Sequence, residues 1–225
     1  MDLTTVHLVR HGEVHNPEGV LYGRLPGYHL SALGNAMAER LAEVFSQGHD
    51  IRAVITSPLE RAIETGTPTA AAFQLPLQQD INLLEAGNQF EGESINKRGV
   101  LAHPRFWKRY INPARPSWGE PYAEISQRMA RAVKNGLEQG RGGEVVLVSH
   151  QLPIWVFRLF IEGKPYLHDP RKRECALASV TSLSFVDNQL VSWKYWEPAA
   201  ELLQHAQDMT PGTSAAAKKT TENKK

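Results

Sequence analysis

Two histidines and two arginines in this chain stand where an anion can be both gripped and attacked. Arg10 and His11 follow the run Val6–Val9, which Gly12 brings to an end. Ser149 and His150 follow Val145–Val148, and Arg61 lies in Ser57-Pro58-Leu59-Glu60-Arg61-Ala62, just after Ala53–Ile55. A guanidinium offers a planar, permanently charged fork that suits phosphate oxygens. A neutral imidazole can act as a nucleophile or a base. Leu84-Glu85 and Glu91-Gly92 add loop carboxylates, either of which can serve as a general acid. Together these are the parts of a site for phosphate chemistry.

Such groups converge only if the runs before them are neighbouring parallel strands ending on one edge, where open α/β sheets bind ligands. The pattern supports that arrangement. Val6–Val9, Ala53–Ile55 and Val145–Val148 read as strands. Leu33, Met37, Leu41 and Val44 recur at helical spacing behind Ser31, a favoured N-cap residue. Ser57-Pro58 reads as the opening of a second helix that runs to about Phe73, which puts Arg61 one turn inside. Free N–H groups and the helix dipole favour anions there. Leu75–Leu84 reads as strand and loop, Tyr122–Leu137 as a helix, and a last helix starts near Pro153. Ala178–Val186 and Leu190–Tyr195 read as an antiparallel hairpin turned at Asp187-Asn188. The alternation predicts a three-layer α/β/α sandwich with a mostly parallel central sheet. Residues 1–209 are expected to form one domain, with Glu93–Trp118 as a cap-like insertion. Residues 210–225 carry no large apolar side chain and read as a disordered tail.

Composition narrows the partners. With 225 residues, 41% of them hydrophobic and 22% charged, the chain suits one soluble domain with a full core. A net charge of +1 provides no field for nucleic acid or an acidic membrane. The longest apolar stretch, Leu152–Ile161, contains Arg158 and is too short to span a bilayer. The expected partner is therefore a small phosphorylated substrate; oligomeric state is not legible. A single cysteine, Cys175, rules out an internal disulfide, and no signal peptide is evident, so a cytoplasmic location is expected. Cys175 also lacks the arginine six positions on that a cysteine phosphatase requires, since Thr181 stands there. His7, His11 and His15 are spaced four apart like a metal-binding helix face, but on a strand that spacing does not converge. No metal or cofactor is expected.

The motifs Arg10-His11-Gly12-Glu13, Leu30-Ser31…Gly34, Ser57–Ala62, Leu84-Glu85…Glu91-Gly92 and Val146–His150 occur in an order that resembles the histidine phosphatase superfamily, with its phosphoglycerate mutase-like fold. The resemblance implies that His11 attacks phosphorus and carries a phosphohistidine that water then hydrolyses. Arg10, Arg61 and His150 would hold the phosphoryl oxygens, and Glu85 would protonate the leaving oxygen and later activate the water. No metal is needed in that scheme. The chain departs from the family in places. Val14 replaces a threonine, and Asn16 arrives one position early, though still expected within reach of phosphate. Gln151-Leu152-Pro153 replaces small residues after the second histidine. Arg24, in the bulky loop Leu21–His29, is expected to contact substrate.

Three functions fit these residues. The first is a metal-independent phosphatase acting on monoesters of a small metabolite. The second is a phosphoglycerate-type mutase, although Leu83-Leu84-Glu85-Ala86-Gly87-Asn88 lacks the basic pair that such mutases carry around the acid. The third is a non-catalytic phosphate-binding or scaffold protein, which would ordinarily have lost His11 or an arginine. Singly, Arg61 reads as a solvated helix residue and His150 as a core histidine; only the joint pattern promotes them.

Overall fold

The computed structural model describes residues 2–87, 91–92, 119–208 and 212–216. The expected cap-like insertion, 93–118, lies outside the described residues. The first strand, β1 (Leu3–Arg10), sits in the middle of a six-stranded sheet. Its Val6, Leu8 and Val9 are fully buried because helices cover both faces of the sheet. Each such side chain contributes about 1.5–3 kcal/mol by leaving water. That burial explains why this run and β4 (Glu144–Ser149) are near-continuously apolar rather than alternating.

The remaining strands are β2 (Ile51–Thr56), β3 (Leu77–Gln79), β5 (Val180–Val186) and β6 (Gln189–Trp196). Their order in the sheet is β3-β2-β4-β1-β5-β6. The first four are mutually parallel, and β5 and β6 are antiparallel additions on one side. Asp187 and Asn188 both take positive φ in the β5–β6 turn, a conformation that these residue types tolerate in two-residue hairpins. The helices are α1 (Ala32–Phe45), α2 (Glu60–Ala72), α3 (Tyr122–Gln139) and α4 (Gln151–Ile161). α1 and α2 share one hydrophobic cluster with Val9, Val146 and Val148. α3 and α4 share the other with Val6, Leu8 and Leu147. The three-layer sandwich with a mostly parallel sheet is therefore the observed architecture. Among the described residues, no helix is long and apolar enough to cross a membrane.

Two helix starts differ from expectation. α2 begins at Glu60 rather than at Ser57-Pro58, so Arg61 is its second residue. The reason is local, since the Ser57 hydroxyl meets His150 across the sheet edge instead of capping a helix. α4 begins at Gln151, directly after His150, two residues ahead of Pro153. The tail also departs from the expected disorder. Thr213 N donates to Arg173 O at 3.0 Å, and Ser214 and Ala216 are buried. Residues 212–216 are small enough to pack where large ones would not fit, so apolar bulk was not required for them to dock.

Candidate active site

β1, β2 and β4 deliver their C-terminal ends side by side, and the chemistry-bearing residues follow from them. Arg10 pairs with Ser149 in register, which places His11 and His150 next to each other. Their rings lie 5.2 Å apart, centre to centre, and both side chains are buried. His11 Nδ1 lies 2.7 Å from the Gly12 carbonyl oxygen. A carbonyl only accepts, so Nδ1 carries the proton and Nε2 keeps the lone pair. Burial, then the charges of Arg61 and Arg10, holds the His11 pKa well below its ordinary value, so the ring is neutral and nucleophilic at neutral pH.

The loop after His11 is fixed by close backbone approach. A Cβ on Gly12 would come within 2.7 Å of Gly34 O, and one on Gly34 within 2.0 Å of Glu13 O. Only glycine fits either position. Gly12 N donates to Thr65 Oγ1 at 3.1 Å, and Thr65 donates to Arg61 O at 2.7 Å, tying the loop to α2.

His150 is oriented by Ser57. Leu59 N reaches the Ser57 hydroxyl oxygen at 3.4 Å, and that hydroxyl lies 2.9 Å from His150 Nε2. With the hydroxyl donating to Nε2, Nδ1 becomes the N–H donor. His150 Nδ1 is buried and meets no hydrogen-bond partner among the described residues. Burial, then the Arg61 charge, depresses the His150 pKa strongly, so this ring is neutral too.

Arg61 is fully buried. Its Nη2 donates to Gly23 O at 2.6 Å, and its guanidinium lies over the Tyr22 ring at 4.7 Å. Its Nε and Nη1 are buried without a hydrogen-bond partner among the described residues. Three buried donors lacking acceptors, on two side chains that influence each other's charge and that of His11, would be costly in a purely structural role. They are explained by an anion with several oxygens. Glu85 belongs to the same group. Burial raises its pKa, against the pull of Arg61, Arg128 and Arg10. A carboxyl whose pKa is raised holds its proton more tightly than an exposed one, which suits it to act as a general acid.

The family profile described as histidine phosphatase superfamily (branch 1) matches residues 6–197. The chain belongs to the histidine phosphatase superfamily. Among its relatives is the uncharacterized protein Rv0525 of Mycobacterium tuberculosis, 53% identical over 198 residues that cover 88% of this chain and 98% of the relative. A probable phosphoglycerate mutase, GpmB of Yersinia enterocolitica, is 34% identical over 84% of this chain and 86% of its own. Among solved structures, the mycobacterial glucosyl-3-phosphoglycerate phosphatase superposes with a TM-score of 0.69 over 87% of this chain and 99% of its own, at 23% identity, a likeness of fold.

In this member of the superfamily, the expected site residues divide. His11, Arg61, His150 and Glu85 come together. Arg10 joins them and influences His11, but both its Nη atoms are engaged, donating to Asp208 at 2.8 and 2.9 Å, with Nη1 also donating to Cys175 O at 2.7 Å. Arg10 therefore brings its charge to the site as one half of an ion pair. Asn16 does not reach the site. Its amide brackets Val20, donating to Val20 O at 2.9 Å and accepting from Val20 N at 3.1 Å, so its polar atoms are spent inside one turn. Arg24 also serves a different end. Its Nε donates to Glu85 O at 2.7 Å and its Nη2 to Glu120 at 2.8 Å, which makes it a clamp on the Glu85 loop. Glu120, which also grips Arg128, neutralises it.

Four contributors went unforeseen: Asp208, Tyr22, Thr65 and the orienting role of Ser57. Ser57 was within the recognised motif, so a hydroxyl one strand from His150 was a usable signal. Asp208 offered none, because it lies far from every motif.

Proposed function

We propose that this protein is a phosphomonoesterase acting on a small phosphorylated metabolite through a phosphohistidine on His11. The observation that supports this most is the set of buried donors, Arg61 Nε, Arg61 Nη1 and His150 Nδ1, that meet no acceptor among the described residues, beside a neutral imidazole. His11 Nε2 attacks phosphorus as the bond from phosphorus to the ester oxygen breaks. Glu85 gives its proton to that leaving oxygen and becomes a carboxylate. It then takes a proton from a water whose oxygen attacks phosphorus and breaks the P–N bond. Inorganic phosphate leaves, His11 is neutral again and Glu85 is protonated again. Arg61 and His150 hold the non-bridging oxygens as charge moves across the group. On this reading the protein's own cations neutralise the phosphoryl group, and no metal takes part in the step. The cytoplasm, as the compartment of phosphorylated metabolites and reduced thiols, fits the lone Cys175.

The test is hydrolysis of an aryl phosphate with a chelator present, comparing the native protein with His11→Ala, alongside acid-quench trapping of phosphoenzyme. Chelator-resistant turnover that disappears in a folded His11→Ala supports the reading. Turnover that persists in that variant refutes it.

A second reading, a phosphoglycerate-type mutase, is favoured by the 34% identity to the probable phosphoglycerate mutase of Yersinia enterocolitica. It shares the phosphohistidine but returns the phosphoryl group to a bound hydroxyl. Supplying phosphoglycerate and measuring isomer exchange against phosphate release separates the two. A folded protein that binds phosphate but turns over neither kind of substrate would be the scaffold instead.

A further inference from the structure

At the opposite end of β1 from His11, a second group of histidines gathers around one carboxylate. His7 Nε2 lies 2.7 Å from Glu144 Oε2, and His49 Nδ1 lies 2.6 Å from the same oxygen. The three potential ligand atoms all fall within 4.8 Å of one another. They come from three separate elements: the middle of β1, the turn between α1 and β2, and the first residue of β4. We propose that His7, His49 and Glu144 bind a divalent transition-metal ion of the zinc type.

Ligand chemistry selects the class. Two imidazoles and a carboxylate suit zinc, cobalt or nickel, whereas magnesium and calcium prefer all-oxygen sites. Ligands of a tetrahedral ion at about 2.0–2.1 Å stand about 3.3 Å apart, so Glu144 Oε2 has to draw back by roughly 0.6 Å from each of the two ring nitrogens it now touches at 2.7 and 2.6 Å, within reach of a partly exposed side chain. Glu144 and His49 are 24% and 28% exposed in their side chains, which gives an ion a route in and leaves room for water as a further ligand.

The surroundings are those of a supported metal site. Metal-bound histidines ordinarily donate the other ring N–H to a second group. His7 Nδ1 lies 2.8 Å from Ser182 Oγ, which also receives Trp196 Nε1 at 2.8 Å. A hydroxyl oxygen accepts two such donors. When Nε2 takes the ion, the His7 proton moves to Nδ1 and lands on Ser182. The His49 proton moves likewise to Nε2, so neither ring has to lose its proton. Phe45 packs against both imidazoles, with ring centres 5.1 Å from His7 and 5.3 Å from His49, and Trp196 is parallel to the His49 ring. An ion here would be structural. His7 precedes His11 by four residues of strand, about 13 Å, too far to touch a phosphoryl group.

The test uses untagged, full-length protein, stripped with a chelator and returned to chelator-free buffer. Zinc is titrated in competition with a chromophoric chelator, and cobalt is followed by its visible absorption. One equivalent should bind, with cobalt bands of nitrogen and oxygen ligation. Ser182→Ala should weaken binding by about 10–100-fold, and His49→Ala and Glu144→Gln by more. Circular dichroism establishes that each variant is folded, and Ser182→Ala serves if the other two are not. A native protein that binds no equivalent overturns the proposal and leaves the cluster a hydrogen-bonded staple. Binding that none of these substitutions weakens overturns it as well, by placing the ion elsewhere.

Discussion

Asp208 and Arg10, separated by 198 positions in sequence, form a buried two-pronged ion pair at the residue that precedes His11. Arg10 is 1% exposed and Asp208 is 3% exposed, so neither charge has water to fall back on. Removing one partner of such a pair typically costs about 3–5 kcal/mol, because the other is left buried and uncompensated. Asp208→Asn should destabilise the protein by an amount of that order in urea unfolding. An added anion can supply the missing charge. Inorganic phosphate should therefore raise the melting temperature of Asp208→Asn more than that of the native protein. Equal shifts would mean that Arg10 does not face the anion site.

Glu85 is placed to serve the leaving group, so its importance should depend on how badly that group needs a proton. Glu85→Gln should lower kcat by about 10²–10⁴-fold on alkyl phosphates. The loss should be much smaller on nitrophenyl phosphate, whose leaving oxygen departs readily without protonation. A uniform loss on both substrates would assign Glu85 to positioning.

The directions of the His11 and Glu85 shifts set the pH profile. Activity needs neutral His11, whose pKa lies well below 6.5, and protonated Glu85, whose pKa lies above 4.5. kcat/KM should rise at an acidic pH where His11 loses its proton and decline where Glu85 loses its own, giving a bell. In Glu85→Gln the alkaline limb should vanish and the acid limb remain.

Stability should fall on acidification earlier than carboxylates alone would dictate. His7, His11 and His150 are all held below their ordinary pKa, with burial the largest cause in each case. Below pH 6.5 the unfolded chain binds protons that the folded chain refuses, and each such histidine costs up to about 1.4 kcal/mol per pH unit. Glu144 adds to this at lower pH. Its folded pKa, about 2 against an ordinary 4.5, gives stability that is present above 4.5 and lost as pH falls toward 2. Urea midpoints measured from pH 7.5 to 4.5 should fall steadily. A flat profile over that range would contradict the neutral, buried assignment of these rings.

Gly34→Ala should be among the more damaging single-methyl changes. Its Cβ would lie 2.0 Å from the Glu13 carbonyl, a backbone atom that cannot rotate away. Overpacking of this kind costs about 1–3 kcal/mol or more, and here the strain falls on the loop that presents His11. Activity should drop along with the unfolding midpoint. Native-like turnover would show that the loop can shift without moving the nucleophile.

What the sequence disclosed, and what it hid, follows from the range of the interactions. β1 and β4 were legible because burial on both faces demands uninterrupted apolar runs. The β5–β6 hairpin was legible because Asp187-Asn188 suits positive φ. The convergence of His11, Arg61 and His150 could be inferred because each directly follows a recognisable strand. Asn16 and Arg24 misled, since a polar side chain in a loop does not reveal its partner. Val20 lies nearby, but Glu120 is 96 positions from Arg24. The true start of α2 was obscured because Ser57, a good capping type, is claimed by a histidine 93 positions away. Asp208 was hidden for the same reason at the greatest distance. Local grammar shows where a side chain begins, and long-range partners decide what it does.

The central place of β1 in the sheet also bears on how the protein is made. β1 is synthesised well before its neighbours, β4 and β5, which end at residues 149 and 186. Until they are synthesised, β1 has no lasting partner on either edge, and an unpaired apolar strand invites wrong pairing. The pairings are non-local, so assembly of the sheet is comparatively slow and waits for most of the chain. Arg10 then waits longer still, for Asp208, made 198 residues later. A nascent chain that ends before that point therefore carries His11 without the carboxylate that balances its neighbouring guanidinium.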